Sequence, residues 1–155
     1  MQKGKQILLA FVALSLVSAV ALAAPPVFKE FRHGEQKSLG AQDRIAPLAI
    51  RTSPGENYFV KLVDAVRGTP VMYMMIEGGR PFETLVPLGM YRIRYAAGKQ
   101  WMNPSDLFGE QTLTSEADQN FNFRRTADGI SGYQIELILQ RSGNLHTKVI
   151  PRAQF

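Results

Sequence analysis

Val71-Met72-Tyr73-Met74-Met75-Ile76-Glu77-Gly78-Gly79-Arg80-Pro81-Phe82-Glu83-Thr84-Leu85-Val86-Pro87-Leu88-Gly89-Met90-Tyr91-Arg92-Ile93-Arg94-Tyr95 is the stretch that decides the fold. At its end, Tyr91, Ile93 and Tyr95 alternate with Arg92 and Arg94, the period of a β-strand with one core face and one wet face. In its middle, Glu77-Gly78-Gly79-Arg80 predicts a tight turn. Two glycines supply the positive φ of a primed turn, and Glu77 and Arg80 flank it with opposite charges. Pro70 to Ile76 and Pro81 to Pro87 are then the arms of a hairpin, and Leu88-Gly89 turns the chain into Met90 to Ala97.

The same grammar extends outward. Upstream, Tyr58 to Asp64 reads as a strand that ends in the turn Ala65-Val66-Arg67-Gly68. Downstream of Gly98 lies an irregular stretch to about Asp118, with a short helical turn expected near Pro104-Ser105-Asp106-Leu107-Phe108, capped by Ser105 or Asn103. Alternation resumes at Asn120 to Arg125 with Phe121 and Phe123, turns at Asp128-Gly129, and continues in Tyr133 to Gln140, where Tyr133, Ile135, Leu137 and Leu139 share a face. Ser142-Gly143-Asn144 leads into Leu145 to Ile150. Few segments carry a 3.6-residue period. The expectation is an all-β fold: a single antiparallel β-sandwich of about eight strands over residues 47–155.

Ahead of it, residues 24–46 read as a flexible arm or linker. Pro25-Pro26 opens the arm, its charges are mixed, and Val27, Phe28 and Phe31 are its apolar anchors. Residues 1–23 have the layout of a signal peptide, here a helix: Lys3 and Lys5 head an uncharged run from Ile7 to Ala24 that contains Ala21-Leu22-Ala23. Cleavage is expected between Ala23 and Ala24; an uncleaved segment would instead anchor the chain in the membrane. Export makes the chain periplasmic or secreted. The absence of cysteine removes disulfides, cysteine zinc sites, thiol nucleophiles and a lipoprotein anchor. The formal charge of +5 falls by two with the signal segment, and the arginines are spread along the chain, so no nucleic-acid partner is expected.

Catalytic chemistry finds little material. Ser131, His146 and Asp128 could supply a triad, but no Gly-x-Ser-x-Gly elbow accompanies them and His146 reads as a strand-surface residue. His33 and His146 are too far apart in the chain to suggest a zinc pair. Glu116, Asp118, Asn120 and Asn122 lack calcium-loop spacing and read as a solvated loop. Neither a metal nor another cofactor is expected, and Gly78-Gly79 is a turn rather than a phosphate loop.

Two places invite a binding role. The run Val71 to Ile76 is apolar on both faces. It is either a central strand covered by a second layer or by the arm, or a Met-rich patch in which Met72 and Met74 meet a protein partner. The arm is the nearest cover, and its expected targets are Met72, Met74 and Ile76. Trp101 and Phe108, with Asn103 and Asp106, combine aromatic and amide groups in a long loop. That set suits a sugar or peptide, or it pins the loop to the sandwich. Arg92 and Arg94 face solvent, a carboxylate or an anionic envelope polymer.

Val63-Asp64-Ala65-Val66-Arg67-Gly68-Thr69-Pro70-Val71, followed by Val86-Pro87-Leu88-Gly89-Met90-Tyr91, resembles exported bacterial β-sandwiches of the carboxypeptidase-regulatory (transthyretin-like) and PEGA kinds. The resemblance implies an immunoglobulin-like or transthyretin-like sandwich outside the cytoplasm. The remainder, from Trp101 to Leu145, looks like a group of small uncharacterised bacterial secreted proteins and carries over no catalytic residue. The expected function is a non-enzymatic exported protein of the bacterial cell envelope that binds a protein partner or assists an assembly; the alternative is a cell-wall glycan or polysaccharide module using the Trp101–Phe108 loop.

Overall fold

The computed structural model describes residues 28–137 and 147–155. The expected signal helix, the Ala23/Ala24 cleavage site, the Ser142-Gly143-Asn144 turn and His146 lie outside the described residues. Those described form an all-β sandwich. One sheet has the order β1 (Gln36–Ser38), β4 (Pro70–Glu77), β3 (Asn57–Asp64), β6 (Gly89–Gly98), β7 (Leu113–Ala117) and β12 (Thr147–Val149), with β8 (Phe121–Phe123) also pairing β6. The second sheet has the order β11 (Tyr133–Leu137), β2 (Arg44–Thr52), β5 (Phe82–Pro87). A ribbon of β9 (Arg125–Thr126) and β10 (Gly129–Ile130) leads into β11.

Alternation fills the space between the sheets. Tyr91, Ile93 and Tyr95 of β6 point inward as their spacing requires, as do Phe121 and Phe123 of β8. They meet Leu48 and Ile50 of β2, Phe82 and Val86 of β5, and Ile135 and Leu137 of β11. Each large side chain buried here contributes about 1.5–3 kcal/mol before ordering costs.

Four expectations are corrected. The Glu77–Arg80 turn is tight, with Arg80 N–H donating to Glu77 O at 3.1 Å and Gly79 at φ 80°, but it does not close a hairpin. β4 pairs β3 and β1 in the large sheet, whereas β5 pairs β2 in the small one, so the turn carries the chain from one sheet to the other. The hairpin in this region is β3–β4, closed by the Asp64 to Thr69 turn.

The sandwich is also not wholly antiparallel, because β11 runs parallel to β2. Gly132 permits that approach: a Cβ there would lie 2.5 Å from Pro47 Cγ.

The expected arm is part of the packed structure. Residues 36–38 pair with β4, β2 begins at Arg44, and Phe28 is buried. Three devices hold the segment: the edge pairing, the apolar anchor Phe28, and His33, whose Nδ1 accepts the Glu77 N–H at 3.1 Å. Finally, the irregular stretch after Gly98 contains a full strand, β7. The expected helical turn at 104–108 is a loop bridged between Asn103 and Leu107, with a 3-10 turn following at Gly109–Gln111.

Candidate functional site

Four features of the fold bear on chemistry, the first of them the Met-rich strand. Met72, Met74 and Ile76 are 0 % exposed and belong to the inter-sheet core. They cannot offer a partner surface in this fold. The residues that the N-terminal segment covers are those of opposite parity: Tyr73 and Met75 lie with Phe28 and Phe59 on the outer face of the large sheet. The strand does have a covered second face, but the cover sits one residue out of step with the expectation.

That cover is an aromatic layer. Phe28 meets Phe59 and Tyr73 edge-on at 5.7 and 6.4 Å, Phe59 and Tyr73 stack at 5.4 Å, and Trp101 lies 5.2 Å from Phe59 and 5.3 Å from Phe108. Trp101 Nε1–H donates to Phe28 O at 3.2 Å. The rings therefore bind the 101–108 loop and the N-terminal segment to the sheet, with Phe108 buried and Trp101 half-buried. Asn103 and Asp106 serve the same loop. Asn103 Oδ1 accepts from Ser105 N–H and Asp106 N–H, and its Nδ2 donates to Asp106 Oδ2 at 2.8 Å. The set proposed for a ligand is thus largely spent on its own backbone.

Beside the aromatics, the same outer face carries charge. Glu116 is 3 % exposed in β7, not in a solvated loop. Arg94 Nε–H donates to Glu116 Oε2 at 2.6 Å, while Lys148 Nζ and Arg92 Nη1 lie 3.0 and 3.7 Å from Oε1. Burial pushes the Glu116 carboxyl up, but the hydrogen bonds and charges of Arg94 and Lys148 outweigh it and hold the carboxyl below its ordinary value. Lys61 lies beneath the C-terminal segment, its Nζ donating to Phe155 O at 2.8 Å and 4.0 Å from the Phe155 ring centre. Burial, assisted by Arg94, lowers its ammonium to about 8.

A concave feature lies elsewhere, on the outer face of the three-stranded sheet. A groove of about 460 Å³ is lined by Pro47, Ala49, Leu85, Gly132 and Tyr133, with Glu83, Thr84 and Gln134 as polar members. Leu85 is 48 % exposed. Sequence reading missed this site because Pro47 and Leu85 lie far apart in the chain, and only the pairing of β2 with β5 sets Pro47 opposite Leu85. Of the triad materials, Ser131 Oγ donates to Asn122 O at 3.0 Å and accepts from Arg124 N–H at 2.7 Å, and Asp128 is exposed. Among the described residues no cluster of three or more metal-ligating side chains forms, and no helix is long and apolar enough to cross a membrane.

Compared with family models, curated proteins and solved structures, the chain finds no match.

Proposed function

We propose that this chain is a non-enzymatic binding or assembly-accessory protein of the bacterial cell envelope, exported through its N-terminal segment and cleaved between Ala23 and Ala24. The reading draws on the resemblance over residues 63–94 to exported β-sandwiches. The observation that carries it is the open groove over β2, β5 and β11, with Leu85 exposed in it. A shallow, mainly apolar groove with a few polar groups suits an extended segment of a protein partner better than an enclosed small molecule. The aromatic loop, by contrast, holds the protein together, so the groove replaces it as the place to test.

Envelope fractions passed over the immobilised protein provide that test. A discrete partner protein retained by the wild type and by Trp101→Ala, but lost with Leu85→Asp, is the expected result. Retention by Leu85→Asp, or sedimentation with insoluble glycan that Trp101→Ala abolishes, would overturn it.

A further inference from the structure

A second surface, on the face opposite the groove, carries an unbalanced charge that folding leaves open. One row of side chains crosses the large sheet in register: Lys37, Tyr73, Lys61, Arg94, Glu116 and Lys148, from β1, β4, β3, β6, β7 and β12. Arg92, two residues along β6, joins it on the same face.

The inner cations are satisfied. Arg94 takes Glu116 Oε2 and, through Nη1, Gln154 O at 2.7 Å, while Lys61 takes Phe155 O. The outer pair is different. Arg92 and Lys148 converge on the single atom Glu116 Oε1, and their side chains are 33 % and 62 % exposed. Arg92 otherwise makes a 3.4 Å contact from Nη2 to Ala65 O. One carboxylate, already bonded to Arg94, cannot neutralise three cations.

We propose that Arg92 and Lys148 form a binding site for a phosphoryl oxyanion, bridged between the guanidinium and the ammonium over Glu116. The guanidinium fork presents paired donors to two oxygens of such a group, and the lysine supplies a mobile point charge on the other side. The partial exposure of both side chains leaves room for the anion and makes binding sensitive to salt. Glu116 plays two opposed parts: it holds the cations in place, and its charge opposes the ligand. The site lies apart from the groove, and its failure would leave the partner reading untouched.

Titration calorimetry of the protein with inorganic phosphate at low salt, against chloride at matched ionic strength, tests the site. Saturable phosphate binding is expected, weakened about tenfold in both Arg92→Gln and Lys148→Gln, as for loss of one charge-assisted contact. In Glu116→Gln the affinity should rise, because the side-chain oxygen can still accept from Arg94 and hold the cations while the competing charge is gone. A merely structural ion pair would not produce these opposite changes. Co-sedimentation with phosphatidylglycerol vesicles, absent with phosphatidylcholine and lost in Lys148→Gln, would assign the oxyanion to a lipid headgroup; phosphate binding without vesicle binding would assign it to a free phosphate. No saturable binding in either arm overturns the proposal, as does unchanged affinity in Lys148→Gln, which alters only an exposed edge-strand residue and keeps the fold. Weaker phosphate binding in Glu116→Gln overturns it as well.

Discussion

Phe28→Ala asks whether the segment ahead of β1 is a layer of the fold or a loose attachment. Phe28 is 3 % exposed and meets Phe59 and Tyr73 edge-on. Full burial of such a ring contributes about 1.5–3 kcal/mol, and each favourable aromatic contact adds about 0.5–1.5 kcal/mol. Because a peripheral segment can collapse into part of the void, the cost should fall near the low end of Phe-to-Ala losses, about 3 kcal/mol. At about 4 °C per kcal/mol for a domain of this size, Tm should drop by about 12 °C. Urea unfolding followed by far-UV circular dichroism measures the loss. Trp101, the single tryptophan of the chain, reports on the layer itself because its indole N–H donates to Phe28 O. Under native conditions its emission should shift red and become more accessible to iodide while the sheet signal persists. A loss below about 1 kcal/mol with unchanged emission would refute the packed-layer account.

Gly79→Val should lower stability by about 2 kcal/mol, read as a thermal midpoint, because the residue sits at φ 80° and a Cβ there would lie 3.0 Å from Pro54 Cβ. Tyr58→Phe should leave stability unchanged or raise it by about 1 kcal/mol in urea unfolding, since the Tyr58 hydroxyl is buried without a hydrogen-bond partner among the described residues. It should also remove a phenol that burial pushes up to about 12, seen as one fewer tyrosine ionising late in an alkaline absorbance titration. Glu116 is depressed in the folded state, so its contribution is fully present above the unfolded value of about 4.3 and is lost as pH falls through the lower folded value. Denaturation midpoints of the wild type should therefore fall more steeply below that pH than those of Glu116→Gln.

Much of the fold is legible because alternation is a local signal. Tyr91, Ile93 and Tyr95 could face one way only, and Arg92 and Arg94 the other, whatever their neighbours. Positive φ at Gly79 follows equally from turn chemistry. What the turn could not reveal is which strands its two arms would join. A Gly-Gly turn with a Glu–Arg pair serves a hairpin and a sheet-to-sheet crossing alike, and the choice depends on β2, more than twenty residues upstream in the chain. The parallel β2–β11 pair is equally remote from local sequence. The Val71–Ile76 run failed for another reason. A strand apolar on every residue carries no parity information, so the sequence could require a cover without saying whether it lay over Met72 and Met74 or over Tyr73 and Met75.

The candidate sites follow the same logic at the level of side chains. Trp101, Phe108, Asn103 and Asp106 have the composition of a binding loop, yet aromatic area and amide donors are also what a long loop needs to hold itself against a sheet. Only the partners decide, and here they are Phe28, Phe59 and the loop's own backbone. Arg92 and Arg94 pointed correctly to a polar face but not to the buried acid between strands, because Glu116 lies in a Leu-Thr-Ser-Glu-Ala segment whose strand character is weak. The outer face of the large sheet thus has two halves. Its aromatic half is closed by the chain's own N-terminal segment and loop. Its charged half is covered over Lys61 and Arg94 by main-chain oxygens of residues 154 and 155, which accept their hydrogen bonds. Arg92 and Lys148, at the open margin, are therefore where an oxyanion from outside would gain most.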